Sequence, residues 1–216
     1  MDPRALEFAG RRSPSGGQPV ILAMMPFSPD MNLGRAYNES IQLLPADDDW
    51  AIFLDHDAMH TTRSWFNVIK EAIEFLPRAG AFVAVTNRID AAWQRAAESD
   101  RDNHDIGYHT AIGLERLKKR SLLDISGTKG FGGVCFALSK GAWKEAGGFS
   151  DGLLCVDHSI HFGLQRARRS VWLLENLYVY HRRRAFVGNL PTNAPIAKKC
   201  PCRGAERMPT ERLYLP

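Results

Sequence analysis

Two short apolar runs, 19–25 (PVILAMM) and 50–54 (WAIFL), stand on either side of one helical stretch, and this arrangement limits the folds open to the chain. Between them, apolar residues at 33, 36, 37, 41 and 44 recur with the period of a helix. Asn32 is placed to cap its start, and Pro45 stops it. A strand, a helix and a strand this close together make a right-handed crossover between parallel neighbours. Both runs are continuous rather than alternating, the pattern of strands covered on both faces. The first is therefore expected to be as buried as the second.

The rest of the chain extends the same alternation. A helix is predicted at 64–76, with Phe66, Ile69, Ile73 and Leu76 as its apolar seam and Pro77 as its end. A strand follows at 81–86, then a helix near 106–119 and a polar loop at 121–130 that is expected to be mobile. Further on come a strand at 133–138, a helix at 140–146 capped by Ser139, a helix at 157–168, and strands at about 171–174 and 177–180. The predicted fold is α/β, Rossmann-like, with a mixed, mostly parallel sheet flanked by helices in one compact domain at 20–187. Residues 1–19, rich in Gly, Pro, Ser and Arg, read as a disordered lead-in, and 188–216 as an irregular basic tail.

Composition narrows the classes further. A hydrophobic fraction of 44% is enough for a packed core. No apolar run approaches the roughly 20 residues of a membrane span, and the N-terminus lacks the apolar segment of a secretory signal. A cytoplasmic protein is the expectation. The net charge of +4 is uneven, because 182–216 holds eight Lys/Arg against two Glu, which leaves the body acidic. Such a tail either is simply solvated or attracts a phosphate-rich partner. Cys135 and Cys155 sit singly in apolar surroundings and are expected as reduced, packed thiols; Cys200 and Cys202 are too few for a zinc site. His104 and His109, in a polar stretch, are expected at the surface.

The run 50–54 ends on Asp55-His56-Asp57. In open α/β sheets, ligands bind beyond the carboxyl ends of the strands. Side chains at i and i+2 of an extended chain point the same way, so the two carboxylates converge. Like charges that close call for a cation, and Mg²⁺ or Mn²⁺ suits carboxylate oxygens and phosphates. The plain alternative is a solvated turn.

The order of these motifs resembles the GT-A glycosyltransferases, in particular the family 2 type. The resemblance runs over about 20–185. It rests on Asn32-Leu-Gly-Arg-Ala-Tyr-Asn38 and the Asp55/Asp57 pair in the first half. In the second half it rests on Gly132-Gly133, Ala142-Trp143, Gly147-Gly148-Phe149, Val156-Asp157-His158 and the terminal His181. It implies that Asp55 and Asp57 hold Mn²⁺ or Mg²⁺ and the diphosphate of a UDP- or GDP-sugar, with His56 between them and His181 completing the metal site. It implies donor contacts from Pro26 and Phe27 around the base, from Asn32, Arg35 and Asn38 on the first helix, and from Gly133. Acceptor contacts fall to Gly147, Gly148 and His158, and Asp157 matches the general base of inverting members. Each residue has a bland alternative: a surface histidine for His181, a helix N-terminal carboxylate for Asp157, a surface cation for Arg35, a turn for the glycine pair. The loop at 121–130 is expected to close over the donor. One departure is plain. Only one helix separates the first strand from Asp55, so the usual acidic residue for the base or ribose is missing or is supplied by Asp30.

The expected activity is transfer of a sugar from a nucleoside diphosphate to an acceptor hydroxyl not identified by the sequence, with inversion. The alternatives are a nucleic-acid-binding protein, or a glycosyltransferase that docks on DNA through the basic tail. A nucleotidyltransferase is disfavoured, because no Gly-rich, Lys-containing phosphate loop is present.

Overall fold

The computed structural model describes residues 18–182 and 208–215. They form a mixed α/β structure around one twisted sheet of eight strands. The strands are β1 (Ile21–Met24), β2 (Trp50–Leu54), β3 (Ala58–His60), β4 (Ala81–Thr86), β5 (Ser121–Asp124), β6 (Cys135–Ser139), β7 (Val171–His181) and β8 (Arg212–Tyr214). Five α-helices join them: α1 (Leu33–Gln42), α2 (Trp65–Phe75), α3 (Ile106–Arg116), α4 (Lys140–Ala146) and α5 (Val156–Arg166). The spatial order is β1-β2-β6-β4-β7-β5-β8, with β3 pairing to β7 off this path.

The β1-α1-β2 crossover is parallel, with Ile21 opposite Trp50 and Met24 opposite Phe53. The sheet is mixed, as expected, but mostly antiparallel rather than mostly parallel. Only β4 and β7 form a second parallel pair; β2–β6, β4–β6, β3–β7, β5–β7 and β5–β8 are antiparallel. A second correction concerns β1. It is an edge strand, not a strand covered on both faces, and Leu22 is 39% exposed. Its apolar run is the same as that of a central strand, but no neighbour lies on its outer side among the described residues.

The sheet core divides by strand parity. Ala51, Phe53, Val83, Phe136 and Leu138 face one side, under Tyr37 and Ile41 of α1 and Ile160 and Leu164 of α5. Trp50, Ile52, Phe82 and Ala137 face the other, against Val68, Ile69, Ala72 and Ile73 of α2. The predicted caps form: the Asn32 side chain accepts from the Arg35 amide at the start of α1, and Ser139 accepts from Ala142 at the start of α4.

The two strands predicted at 171–174 and 177–180 are one, β7, broken by a bulge. Ala84 pairs with Leu174, and the next residue, Val85, pairs with Tyr178. The extra residues reverse the alternation: Val171 and Leu173 face the α1 side, whereas Leu177 and Val179 face the α2 side. The bulge therefore decides which face of the sheet the last side chain, His181, presents.

Three further expectations are corrected. The segment 121–130 begins as β5, and beyond it Ile125 and Thr128 are buried, so its first part is sheet rather than a mobile loop. Gly132 and Gly133 precede β6 instead of lying in it. His109 is fully buried, not at the surface, because its ring nitrogens meet the Tyr178 hydroxyl at 2.7 Å and the Asn103 carbonyl at 2.9 Å. His104 bonds the Tyr180 hydroxyl at 2.7 Å. Part of the basic tail enters the sheet as β8; Cys200, Cys202 and most of the tail's cations lie outside the described residues. Among the described residues, no helix is long and apolar enough to cross a membrane.

His161 of α5 is fully buried beside Phe131, with Nε2 3.0 Å from the Thr128 carbonyl. Burial, with help from His158, pushes it down from 6.5 to about 4. Its folded value lies below its unfolded value, so its contribution is complete above about pH 6.5 and is lost as pH falls towards 4. At ~1.4 kcal/mol per unit, that contribution is about 3 kcal/mol. Urea unfolding should therefore show stability falling over this window, and His161→Leu should flatten the slope. An unchanged slope in the variant would contradict the assignment.

Candidate functional site

Asp55 follows directly on β2, where its amide donates to the Val134 carbonyl at 2.9 Å. The chain then turns and forms β3, which runs antiparallel to the end of β7 with Ala58 opposite His181. This short pairing brings Asp57 to His181, whose Nε2 lies 3.3 Å from the Asp57 carboxylate. One ligand atom from each of Asp55, Asp57 and His181 lies within 4.8 Å of the other two. The cluster predicted from the sequence is thus assembled, by a three-residue strand that the sequence reading did not include.

His181 is fixed from behind. Its amide donates to Asn87 Oδ1 at 2.8 Å, and Asn87 Nδ2 donates back to its carbonyl at 3.2 Å. Its Nδ1 lies 2.8 Å from the Arg88 carbonyl. A carbonyl only accepts, so Nδ1 carries the proton and Nε2 faces Asp57. This is the arrangement by which a ligating histidine is oriented through its outer nitrogen. Asn87 is fully buried at the end of β4. Its sequence signal was a lone amide at the end of the apolar run 81–86.

The electrostatics favour a cation. Asp55 is pushed up to about 7, first by burial and then by the negative charges of Asp57 and Asp157; His181 and the Tyr37 hydroxyl oppose the shift. Burial pushes His181 down, but the hydrogen bonds to Asp57 and the Arg88 carbonyl and the charges of Asp57 and Asp55 more than offset it, so it is raised. Both shifts favour a proton kept within the cluster. Two carboxylates and an imidazole with Nε2 turned inward are a donor set that fits Mn²⁺ or Mg²⁺. Tyr37, on the buried face of α1, packs against Phe53 at 4.8 Å and Phe149 at 4.9 Å while bonding Asp55. In the sequence it stands out only as an apolar position of the helix.

Asp157 sits in the first turn of α5. Its Oδ2 accepts from the Gly133 amide and its Oδ1 from the His158 amide, both at 2.9 Å. Asp157 and Asp55 line the same cavity, of about 190 Å³, together with Leu33, Tyr37, Leu153 and Leu154. The helix-turn role and a site role are therefore compatible. Cys155 lines this cavity as well and is disulfide-bonded, which corrects the expectation of a reduced thiol; it sits in a half-buried left-handed turn (φ 61°), not in the core. Cys135 is free and buried, as expected.

The remaining predicted residues divide. Pro26 and Phe27 lie beyond β1, at the same end of the parallel pair as Asp55, and Phe27 is 82% exposed. His56 is exposed between the two aspartates, and His158 is half-buried next to Asp157. Arg35 is ion-paired with Asp30 and lies 3.8 Å from Glu39, so both the expected phosphate cation and the expected substitute acid are engaged with each other. Asn32 and Asn38 are tied into the framework. Asn32 Oδ1 accepts from the Arg35 and Gly152 amides. Asn38 accepts from the Phe149 amide and the Trp143 indole and donates to the Phe149 carbonyl, at 2.8–2.9 Å, which fills its oxygen and one of its two N–H donors. Gly147 (φ 87°) and Gly148 (φ 76°) end α4 in the left-handed region that favours glycine. Their turn accounts for them without an acceptor contact.

Cation binding must displace protons from Asp55 and His181. Asp55 titrates near 7, so Mn²⁺ affinity should fall below neutrality by about tenfold per pH unit for each displaced proton. Titration calorimetry at about pH 6 and about pH 8 checks this. Tyr37→Phe removes a bond that lowers Asp55, and should move the profile to higher pH. A pH-independent affinity would contradict the proton competition.

No protein-family model and no curated protein matches the chain.

Proposed function

We propose that the protein is a metal-dependent glycosyltransferase of the GT-A type that moves a sugar from a nucleoside diphosphate to an acceptor hydroxyl with inversion. The observation that carries this reading is the meeting of Asp55, Asp57 and His181 beyond the carboxyl end of β2, with Asp157 across a shared cavity. The sheet topology, mixed with a parallel β1-α1-β2 entry, is compatible with that fold.

The residues divide the work. Asp55 and Asp57 would hold Mn²⁺ or Mg²⁺ through carboxylate oxygens, and His181 through Nε2. When bound, the ion neutralises charge on the departing diphosphate. Phe27, exposed at the same sheet end, offers a face on which the base stacks. Asp157 takes the proton of the acceptor hydroxyl as its oxygen bonds to the anomeric carbon and the bond from that carbon to the diphosphate oxygen breaks. Two backbone amides anchor Asp157, and each of its oxygens keeps a lone pair for the acceptor. No enzymatic nucleophile is needed, which supports a single displacement.

The test is a donor panel of UDP-, GDP-, dTDP- and CMP-sugars with Mn²⁺, followed by thermal shift and by sugar release to water. One donor should stabilise the protein only with metal, and Asp55→Asn/Asp57→Asn should abolish the shift. Asp157→Asn should keep the shift and lose about 10²–10⁴-fold in turnover. Stabilisation that survives in the Asp55/Asp57 variant would reject this reading.

A further inference from the structure

Next to the metal cluster lies a second cavity, of about 140 Å³, lined by Asn87, Arg88, Ile89, Asp90, Arg95 and Arg101. It is smaller than the roughly 300–1,000 Å³ of a drug-sized ligand site. It has room for one compact group and not for a nucleoside diphosphate. Three arginines line it, with one acidic residue, Asp90.

The frame is built rather than incidental. Gln94 is fully buried and donates to the Ala84 and Gly132 carbonyls at 3.2 and 2.9 Å. It also accepts from the Gly132 amide at 2.8 Å. This pins the segment after β4, so that Arg95 bridges back in parallel to Thr86 at the strand end and Ala96 donates to Thr86 at 2.9 Å. Arg88 is held by Asp102 and by the Arg182 carbonyl, but its Nε is buried without an acceptor. Such a donor calls for a partner. Among the described residues, Arg95 and Arg101 make no ion pair. The Arg88 carbonyl, in turn, is the group that orients His181. The cavity and the metal ligand therefore share one peptide.

We propose that this cavity binds a compact oxyanion, a phosphate, sulfate or carboxylate carried by the acceptor substrate. Guanidinium groups pair with planar and tetrahedral oxyanions through paired N–H donors, and the small volume selects a single such group. An acceptor anchored here is held beside the metal cluster, with its charge kept off the three site carboxylates. The oxyanion site stands on its own geometry; its assignment to the acceptor rests on the sugar-transfer reading.

The experiment is titration of metal-free protein with inorganic phosphate, followed by calorimetry and melting temperature. Three proteins are compared: wild type, Arg95→Gln/Arg101→Gln and Asp55→Asn/Asp57→Asn. Arg88 is left in place because its side chain also ties Asp102 and the Arg182 carbonyl into the fold. Phosphate should bind wild type and the aspartate variant alike. It should bind the arginine variant at least tenfold more weakly, with no change in that variant's melting temperature without phosphate. Equal binding by the arginine variant, or no binding by wild type at tens of millimolar, overturns the site. Mn²⁺ with pyrophosphate should leave phosphate affinity unchanged; competition would give the cavity to the leaving diphosphate and overturn the acceptor assignment. Loss of the arginine site with Mn²⁺ binding intact would leave the transfer reading standing, and loss of Mn²⁺ binding with phosphate binding intact would do the reverse.

Discussion

The pairing of β3 with the last residues of β7 is the constraint on which the candidate site depends. It joins two parts of the chain more than a hundred residues apart, with Ala58 opposite His181 and His60 opposite Val179. Without it, Asp55 and Asp57 would be two like charges at the end of a strand, and His181 the last residue of another. With it, the three sit in one cluster whose protonation resists the separate charging of each group. The β7 bulge and the Asn87 clamp serve the same end: one chooses the face of the sheet on which His181 emerges, the other holds its backbone and leaves Nε2 turned inward.

A second network supports the first from the α1 side. Asn38 ties α1 to the turn at Gly147-Gly148-Phe149, and Asn32 ties the start of α1 to Gly152. These bonds seat Phe149 on Tyr37, and Tyr37 in turn reaches Asp55. Polar residues that read as ligand contacts thus act through position: they hold the aromatic wedge that holds the carboxylate. In a small domain, framework and site share the same few polar residues, and composition of a motif does not separate the two roles.

What was legible in the sequence follows from local physics. The β1-α1-β2 unit, the Asp55/Asp57 pair at a strand end and the caps at Asn32 and Ser139 all depend on residues within a few positions of one another. What was not legible depends on distant partners. The run 19–25 has the same composition whether a strand lies outside it or not, so its edge position was hidden. The three-residue β3 is too short for any period, and β5 forms against β7, and β8 against β5, across long separations. His109 looked solvated among polar neighbours because the tyrosines that bury it, Tyr178 and Tyr180, come about seventy residues later. The role of Asn87 was invisible for the same reason: its partner is His181.

The central claim is that Asp55, Asp57 and His181 form one divalent-cation site. The most direct measurement is an anomalous difference map, at the manganese edge, from crystals grown with Mn²⁺ and a nucleoside diphosphate. The account predicts a peak about 2.0–2.2 Å from a carboxylate oxygen of each aspartate and from His181 Nε2. A peak elsewhere, or none while the diphosphate itself is bound, would contradict it.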